Sequence, residues 1–320
     1  MKKINRTILT ALGAAVGTGA SLWAIRKLQE RFKQETETAL RTLKTRSQVI
    51  ETSAGPVEIS IHGEGPPVLV VHGAAGGYDQ GEVQSEEFTG VRYISVSRPG
   101  YLRTPLATGE TPAAQADAMA AVLEALKIPQ AAFIGTSMGG LVGLFFALRH
   151  PDRCSALVLI SAVNAPIPGG LTHYTMLSPL LSTDFLPWAL LHPEALMLIR
   201  PTLRKQIASN PDKINAINQL IQTVYPTSLR VSGMMNDAHQ IVSLDEIPLE
   251  AIRVPTLVIH GTADEVVPFD QGVRSAARIP DAQFLPVLEG THYCVLTHLE
   301  MLRPAIIDFI SKHPSITSQL

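Results

Sequence analysis

The stretch Phe133-Ile134-Gly135-Thr136-Ser137-Met138-Gly139-Gly140 decides the fold. It follows an apolar run, Ala131 to Ile134, and precedes an apolar, glycine-bearing segment, Leu141 to His150. The first reads as a strand and the second as a helix, so Gly-x-Ser-x-Gly is the sharp turn between them, with a hydroxyl at its tip. Such a turn holds its serine in a strained backbone conformation that bulky neighbours would block, and Gly135 and Gly139 leave the space. The geometry pushes Ser137 out of the sheet edge, where a base can reach it. The pentapeptide alone also fits a glycine-rich turn with no chemistry. The rest of the chain has to decide.

Outward from the turn, strands and helices alternate. Val57 to Ile61 alternates apolar and polar residues, as a half-exposed strand does. Val68 to Val71 is continuously apolar, as is expected of a strand covered on both faces. Val91 to Val96 and Ala156 to Ile160 are further strands. Thr111-Pro112 starts a helix that runs to about Lys127, with proline at the first helical position. The sheet resumes at Thr256 to His260, followed by a helix over Phe269 to Arg278, a short strand at Gln283 to Leu285 and a terminal helix near Pro304 to Lys312. This rhythm predicts an α/β fold with a mostly parallel sheet and helices on both faces. Between Asn164 and Glu246 it is replaced by helical patterns, prolines and Met176, Met197, Met234 and Met235, which predicts a helical insertion. The expected organisation is an N-terminal hydrophobic segment (1–27), a polar helical linker (28–48), a core in two parts (49–163 and 247–320) and a helical cap (164–246).

Serine is a poor nucleophile at neutral pH. It needs a base, and the base needs an anionic partner that holds its tautomer. Open α/β sheets place functional groups after the carboxyl ends of strands. After the strand ending at His260 comes Gly261-Thr262-Ala263-Asp264, and after the last strand comes Gly290-Thr291-His292. Asp264 alone fits a turn residue and His292 alone a surface histidine. Together, in the order Ser137, Asp264, His292, they fit a catalytic triad. Acyl transfer also needs donors for the developing oxyanion, each worth ~3–4 kcal/mol in the transition state. The Met138 N–H, just after the nucleophile, is one. The small-residue loop His72-Gly73-Ala74-Ala75-Gly76-Gly77 supplies the other, with Ala74 chosen over Ala75. His72 is assigned to bracing this loop. Asp79 and Asp245 read as surface or capping residues, and Cys294 as a packing residue near the site.

On these residues, together with Ser97-Arg98-Pro99-Gly100-Tyr101 and Asp264-Glu265-Val266-Val267-Pro268, the chain resembles the α/β-hydrolase superfamily from about Val57 to Phe309. The resemblance implies an α/β-hydrolase fold in which the insertion is a cap over the active site. It further implies a serine hydrolase of the esterase and lipase kind, with acyl transfer or carbon–carbon bond hydrolysis as alternatives on the same fold. A binding protein without catalysis is the rival from another class. Many members carry Asp where this chain has Ser97, and Gly where it has Leu102. The elbow carries Ser137 and no aspartate, which argues against dehalogenase or epoxide hydrolase activity.

Composition bounds the remaining classes. A hydrophobic fraction of 46% over 320 residues allows a large core. A formal net charge of -2 gives no basic surface for nucleic acid. The two cysteines, Cys154 and Cys294, allow one bridge but read rather as independent thiols, at least partly buried. No phosphate loop, metal cluster or dinucleotide fingerprint stands in a suitable context, so no cofactor is expected. The expected partner is a small-molecule ester with an apolar portion. At the N-terminus, Lys2, Lys3 and Arg6 precede the uncharged run Ile8 to Ile25, closed by Arg26 and Lys27. This pattern predicts an uncleaved membrane anchor, with a cleaved signal and a secreted or periplasmic product as the alternative.

Overall fold

A computed structural model describes residues 6–85, 89–167, 182–191 and 211–316. The chain divides into two compact units, Met1–Lys44 and Thr45–Leu320. The described residues of the first lie in one helix, α1 (Arg6–Thr45), which passes through both the uncharged run and the polar stretch after it. Among the described residues no helix is long and apolar enough to cross a membrane, so the expected anchor finds no support there. The side chains of residues 8–22 and 24–25 lie outside those described.

The second unit is built on an eight-stranded sheet of order β1-β2-β4-β3-β5-β6-β7-β8. The strands are β1 (Gln48–Thr52), β2 (Gly55–His62), β3 (Pro67–Val71), β4 (Arg92–Val96), β5 (Ala131–Thr136), β6 (Cys154–Ile160), β7 (Thr256–Gly261) and β8 (Gln283–Val287). β2 is antiparallel to both β1 and β4. All other pairings are parallel. The first helix after β3 is α2 (Tyr78–Ser85), and α3 (Pro112–Ala125) and α4 (Met138–Arg149) flank β5 in sequence. Thr111 accepts from the Ala114 N–H at 3.1 Å and caps α3, as its Thr-Pro start predicted. The expected cap contains α5 (Phe185–Leu191), α6 (Pro211–Gln222) and α7 (Val231–Val242). No strand occurs there among the described residues, and residues 168–181 and 192–210, which include Met176 and Met197, lie outside them. α8 (Phe269–Arg278), α9 (Cys294–Thr297) and α10 (Leu299–Lys312) complete the unit.

Alternate strand residues feed two cores. Leu69, Val71, Phe133, Leu157 and Leu159 pack on one face with α3 and α4. Val68, Val70, Ile134, Val158 and Ile160 pack on the other with α6, α9 and α10. Continuous apolar strands are what two covered faces require. β3 lies between β4 and β5, so the chain leaves it in opposite directions for its two neighbours. The carboxyl ends of β3 and β5 therefore bound a topological switch point, where α/β sheets open a crevice.

Candidate active site

Ser137 sits at that switch point, with φ 54° and ψ -117°. This is the strained elbow expected from the sequence. Its N–H is tied to the Ile160 carbonyl of β6 at 2.9 Å. The two elbow glycines are required sterically. A methyl group on Gly135 would lie 2.5 Å from the Gly139 carbonyl oxygen, and one on Gly139 would overlap the Val71 carbonyl oxygen. The small residues thus let α4 start against the end of β3, and Ser137 is left 7% exposed.

The loops after β7 and β8 carry the other two groups. They are joined by bonds from the Thr262 N–H to the Val287 carbonyl (2.9 Å), from the Ala263 N–H to the Gly290 carbonyl (2.9 Å) and from the Glu289 N–H to Thr262 Oγ1 (2.8 Å). Across this junction His292 Nδ1 donates to Asp264 Oδ2 at 2.9 Å. Asp264 Oδ1 accepts from the Val266 and Val267 N–H groups, both at 2.9 Å. Burial by itself would raise the Asp264 carboxyl. The neighbouring His260 and His292, with the Val266 amide, outweigh it and hold the group well below the usual carboxylate range. Asp264 is therefore an anion that fixes the His292 tautomer and leaves Nε2 free to take a proton. Among the described residues no hydrogen bond joins Ser137 Oγ to His292. In unliganded sites that contact is often long and tightens with substrate.

His260 was not singled out from the sequence. Its ring is buried, and Nε2 lies 3.0 Å from the Val267 carbonyl and 3.3 Å from Asp264 Oδ2. The carbonyl is the nearer acceptor and takes the hydrogen bond, with the carboxylate close beside it. His260 thus lies against the same carboxylate oxygen that His292 binds.

The loop after β3 is held from several directions. The Gly73 N–H donates to Gln80 Oε1 of α2 at 2.9 Å, so it is already engaged. Among the described residues no bond is made by the Ala74 or Met138 N–H. His72 Nδ1 donates to the Gly73 carbonyl at 2.6 Å, and its Nε2 accepts from the Arg98 N–H at 2.9 Å. His72 therefore braces the loop, and burial, followed by the Arg98 charge, holds it neutral well below 6.5. Arg98, fully buried, donates to the His72 carbonyl (Nε, 2.9 Å) and the Gly73 carbonyl (Nη2, 3.1 Å). It also pairs in two-pronged fashion with Asp237 of α7, at 2.9 and 2.5 Å. Arg230, just before α7, donates to the Gly76 carbonyl at 2.6 Å and pairs with Asp79 at 2.7 Å. Asp79 is thus a partner of this strut, and Asp245 is exposed.

Gln80 and Asp237 gave no signal in the sequence. Gln80 lies on α2, whose buried face is polar, and Asp237 lies on α7, inside an insertion whose docking the sequence pattern does not fix. Cys154 and Cys294 are both free and buried. Burial pushes the Cys294 thiol up to about 11, so it stays protonated beside the site. Among the described residues no group of three or more His, Cys, Asp or Glu side chains is placed to hold a metal ion.

An elbow serine at the switch point, with an Asp–His pair on the loops after β7 and β8, defines the class of α/β hydrolases. The chain belongs to that family, whose alpha/beta hydrolase fold profile matches residues 66–299. It is 27% identical over 265 residues to 2-hydroxymuconate semialdehyde hydrolase from Pseudomonas putida, covering 80% of this chain and 91% of that protein. Among solved structures it is similar to an alpha/beta hydrolase fold protein from Nakamurella multipartita, with 31% identity, TM-score 0.67 and coverage of 82% and 98%. A thermophilic esterase from Thermogutta terrifontis shares the fold at 23% identity and TM-score 0.67, with coverage of 85% and 100%.

Proposed function

We propose that the chain is a serine hydrolase that cleaves carboxylic esters through an acyl-enzyme. Ser137 Oγ attacks the ester carbonyl while His292 Nε2 takes its proton, and the Met138 and Ala74 N–H groups receive the oxyanion. His292 returns the proton to the leaving alkoxide as the intermediate collapses. It then activates water, which releases the acid and restores Ser137. Asp264 holds the His292 tautomer and stabilises the imidazolium in both halves. The observation that carries this reading is the 2.9 Å bond from His292 Nδ1 to Asp264 Oδ2, on the loops after β7 and β8. The composition of the insertion supports a substrate with an apolar portion.

A second reading, hydrolysis of a carbon–carbon bond, is favoured by the relative from Pseudomonas putida. The substrate in that protein's name contains no ester or amide, so its hydrolysis breaks a carbon–carbon bond. The two readings separate when kcat/KM is measured on p-nitrophenyl esters of increasing acyl length and on 2-hydroxymuconate semialdehyde. The ester reading expects turnover of at least one ester above that of the semialdehyde, and the reverse order contradicts it.

Attachment of the N-terminal segment to a membrane rests on its charge pattern alone. Fractionation, with the mass of the mature N-terminus, tests attachment against cleavage.

A further inference from the structure

The 73–74 peptide is the unit that the Ala74 oxyanion role depends on. A trans peptide is planar, so its C=O and N–H point in opposite directions. The Gly73 carbonyl is gripped by two donors, His72 Nδ1 at 2.6 Å and Arg98 Nη2 at 3.1 Å. Both residues are fully buried. The Ala74 N–H of the same peptide therefore faces away from that interior pair. Gly73 itself lies against the nucleophile: a methyl on it would sit 3.1 Å from Ser137 Cβ. Turning the peptide over would aim an N–H at two buried donors and take the Gly73 carbonyl acceptor from both, which is strongly disfavoured.

Arg98 can grip this carbonyl only while its own charge is compensated. Asp237 supplies that charge from α7 and is itself 2% exposed. The Tyr101 hydroxyl donates to the same Oδ2 at 2.5 Å, and Tyr101 stands edge-on to the His72 ring, with centroids 4.8 Å apart. Gln115 of α3 accepts from Arg98 Nη1 at 3.1 Å and fixes the plane of the guanidinium. Burial alone would weaken the hold of Arg98 on its proton; the Asp237 carboxylate outweighs it and keeps the group above the ordinary arginine value.

We propose that Asp237 is a positioning residue of the oxyanion hole: through Arg98 it fixes the Gly73–Ala74 peptide so that the Ala74 N–H meets the oxyanion formed at Ser137. The proposal rests on the assignment of Ala74 as an oxyanion donor. It makes α7, a helix of the expected cap, a determinant of transition-state stabilisation as well as of substrate access.

The test compares wild type with Asp237→Asn on p-nitrophenyl butyrate, with active sites counted by fluorophosphonate titration so that only competent enzyme enters kcat. A trifluoromethyl ketone serves as the second probe. Ser137 Oγ adds to its carbonyl carbon, the Ser137 proton passes to His292, and the carbonyl oxygen becomes an oxyanion. The expected result is a fall in kcat of about 10-fold or more, since a full oxyanion donor is worth about 100-fold or more. KM stays within about two-fold, and the Ki of the ketone rises by the same factor as kcat falls. Unchanged kcat and Ki overturn the proposal, and so does a fall in kcat with Ki unchanged. If Asp237→Asn does not fold, Tyr101→Phe removes one donor to the carboxylate and is expected to shift kcat and Ki together in the same sense; no shift overturns the proposal. Ser137→Ala is assayed in parallel. Residual turnover in that variant sinks the nucleophile assignment, whereas an inactive Ser137→Ala beside an unaffected Asp237→Asn sinks the positioning role alone.

Discussion

Ser97 Oγ, in the loop after β4, donates a hydrogen bond to Glu58 Oε2 of β2 at 2.9 Å. Glu58 is 1% exposed and also accepts from the Arg103 N–H (3.1 Å), Arg103 Nε (2.7 Å) and Ser47 Oγ (2.7 Å). The carboxylate that many α/β hydrolases carry at the position of Ser97 is thus supplied here from the neighbouring strand. Ser97→Asp would set a second buried carboxylate against the first. It is expected to destabilise the chain, and Glu58→Gln is expected to restore part of the loss. Urea unfolding of the two single variants and the double variant should give a coupling of ~0.5–3 kcal/mol between neighbours. Additive losses would show that the two positions do not share one carboxylate site.

Leu102 has φ 51°, the left-handed region that favours glycine. Its N–H is held by the Leu229 carbonyl at 2.8 Å, so the conformation is imposed by the contact with the insertion. Leu102→Gly and Leu102→Ala both remove the side chain, but alanine keeps the steric cost of the left-handed backbone. Glycine is expected to be the more stable of the two by ~1 kcal/mol. Equal stabilities in thermal or urea unfolding would argue that the backbone strain at this position is negligible.

At the elbow, Gly139→Ala places a methyl on the Val71 carbonyl oxygen. Overpacking of this kind costs ~1–3 kcal/mol. The backbone has to move at the residue that follows Met138, so turnover of p-nitrophenyl esters under the proposed function should fall far more than stability does. A Gly139→Ala variant with wild-type kcat would mean that the close approach of α4 to β3 is dispensable.

His72 links acid sensitivity to the oxyanion loop. Its proton affinity is lowered by burial, then by the charges of Arg98 and Arg230, against the opposing bond to Gly73. Below its ordinary value of 6.5 the unfolded chain takes up a proton that the fold refuses. Stability contributed by neutral His72 is therefore full above about pH 6.5 and lost as pH falls from there toward the depressed folded value. His72→Asn removes the titrating group while its amide can still donate to the Gly73 carbonyl. The drop in melting temperature between pH 7 and pH 5 is expected to be smaller in this variant than in wild type. An identical drop in both would rule His72 out as the source.

Much of this fold could be read from local pattern. Val68 to Val71 and Ala156 to Ile160 are strands buried on both faces, and such runs announce themselves. The Thr111-Pro112 start and the Gly-x-Ser-x-Gly elbow are local chemistry as well. What escaped was of another kind. β1 (Gln48–Thr52) is a short edge strand with little burial, and its pairing with β2 depends on the turn at residues 53–54. α2 has polar residues on its buried side, among them Gln80, Glu82 and Gln84, so its periodicity carried no apolar signal. α10 begins at Leu299 and includes Pro304, where the sequence suggested that the helix starts. Of the site, Ser137, Asp264 and His292 each stand at a strand end and were legible for that reason. The supports Gln80, Arg98, Asp237 and His260 act through contacts that only the folded sheet brings together.

The most direct test of the nucleophile assignment is the intact mass of the chain after exposure to a fluorophosphonate. Ser137 Oγ displaces fluoride from phosphorus, so wild type is expected to gain one phosphonyl group. Ser137→Ala should gain none, and His292→Ala and Asp264→Asn should react at least ~100-fold more slowly. Full labelling of Ser137→Ala, or none of folded wild type, would contradict the account.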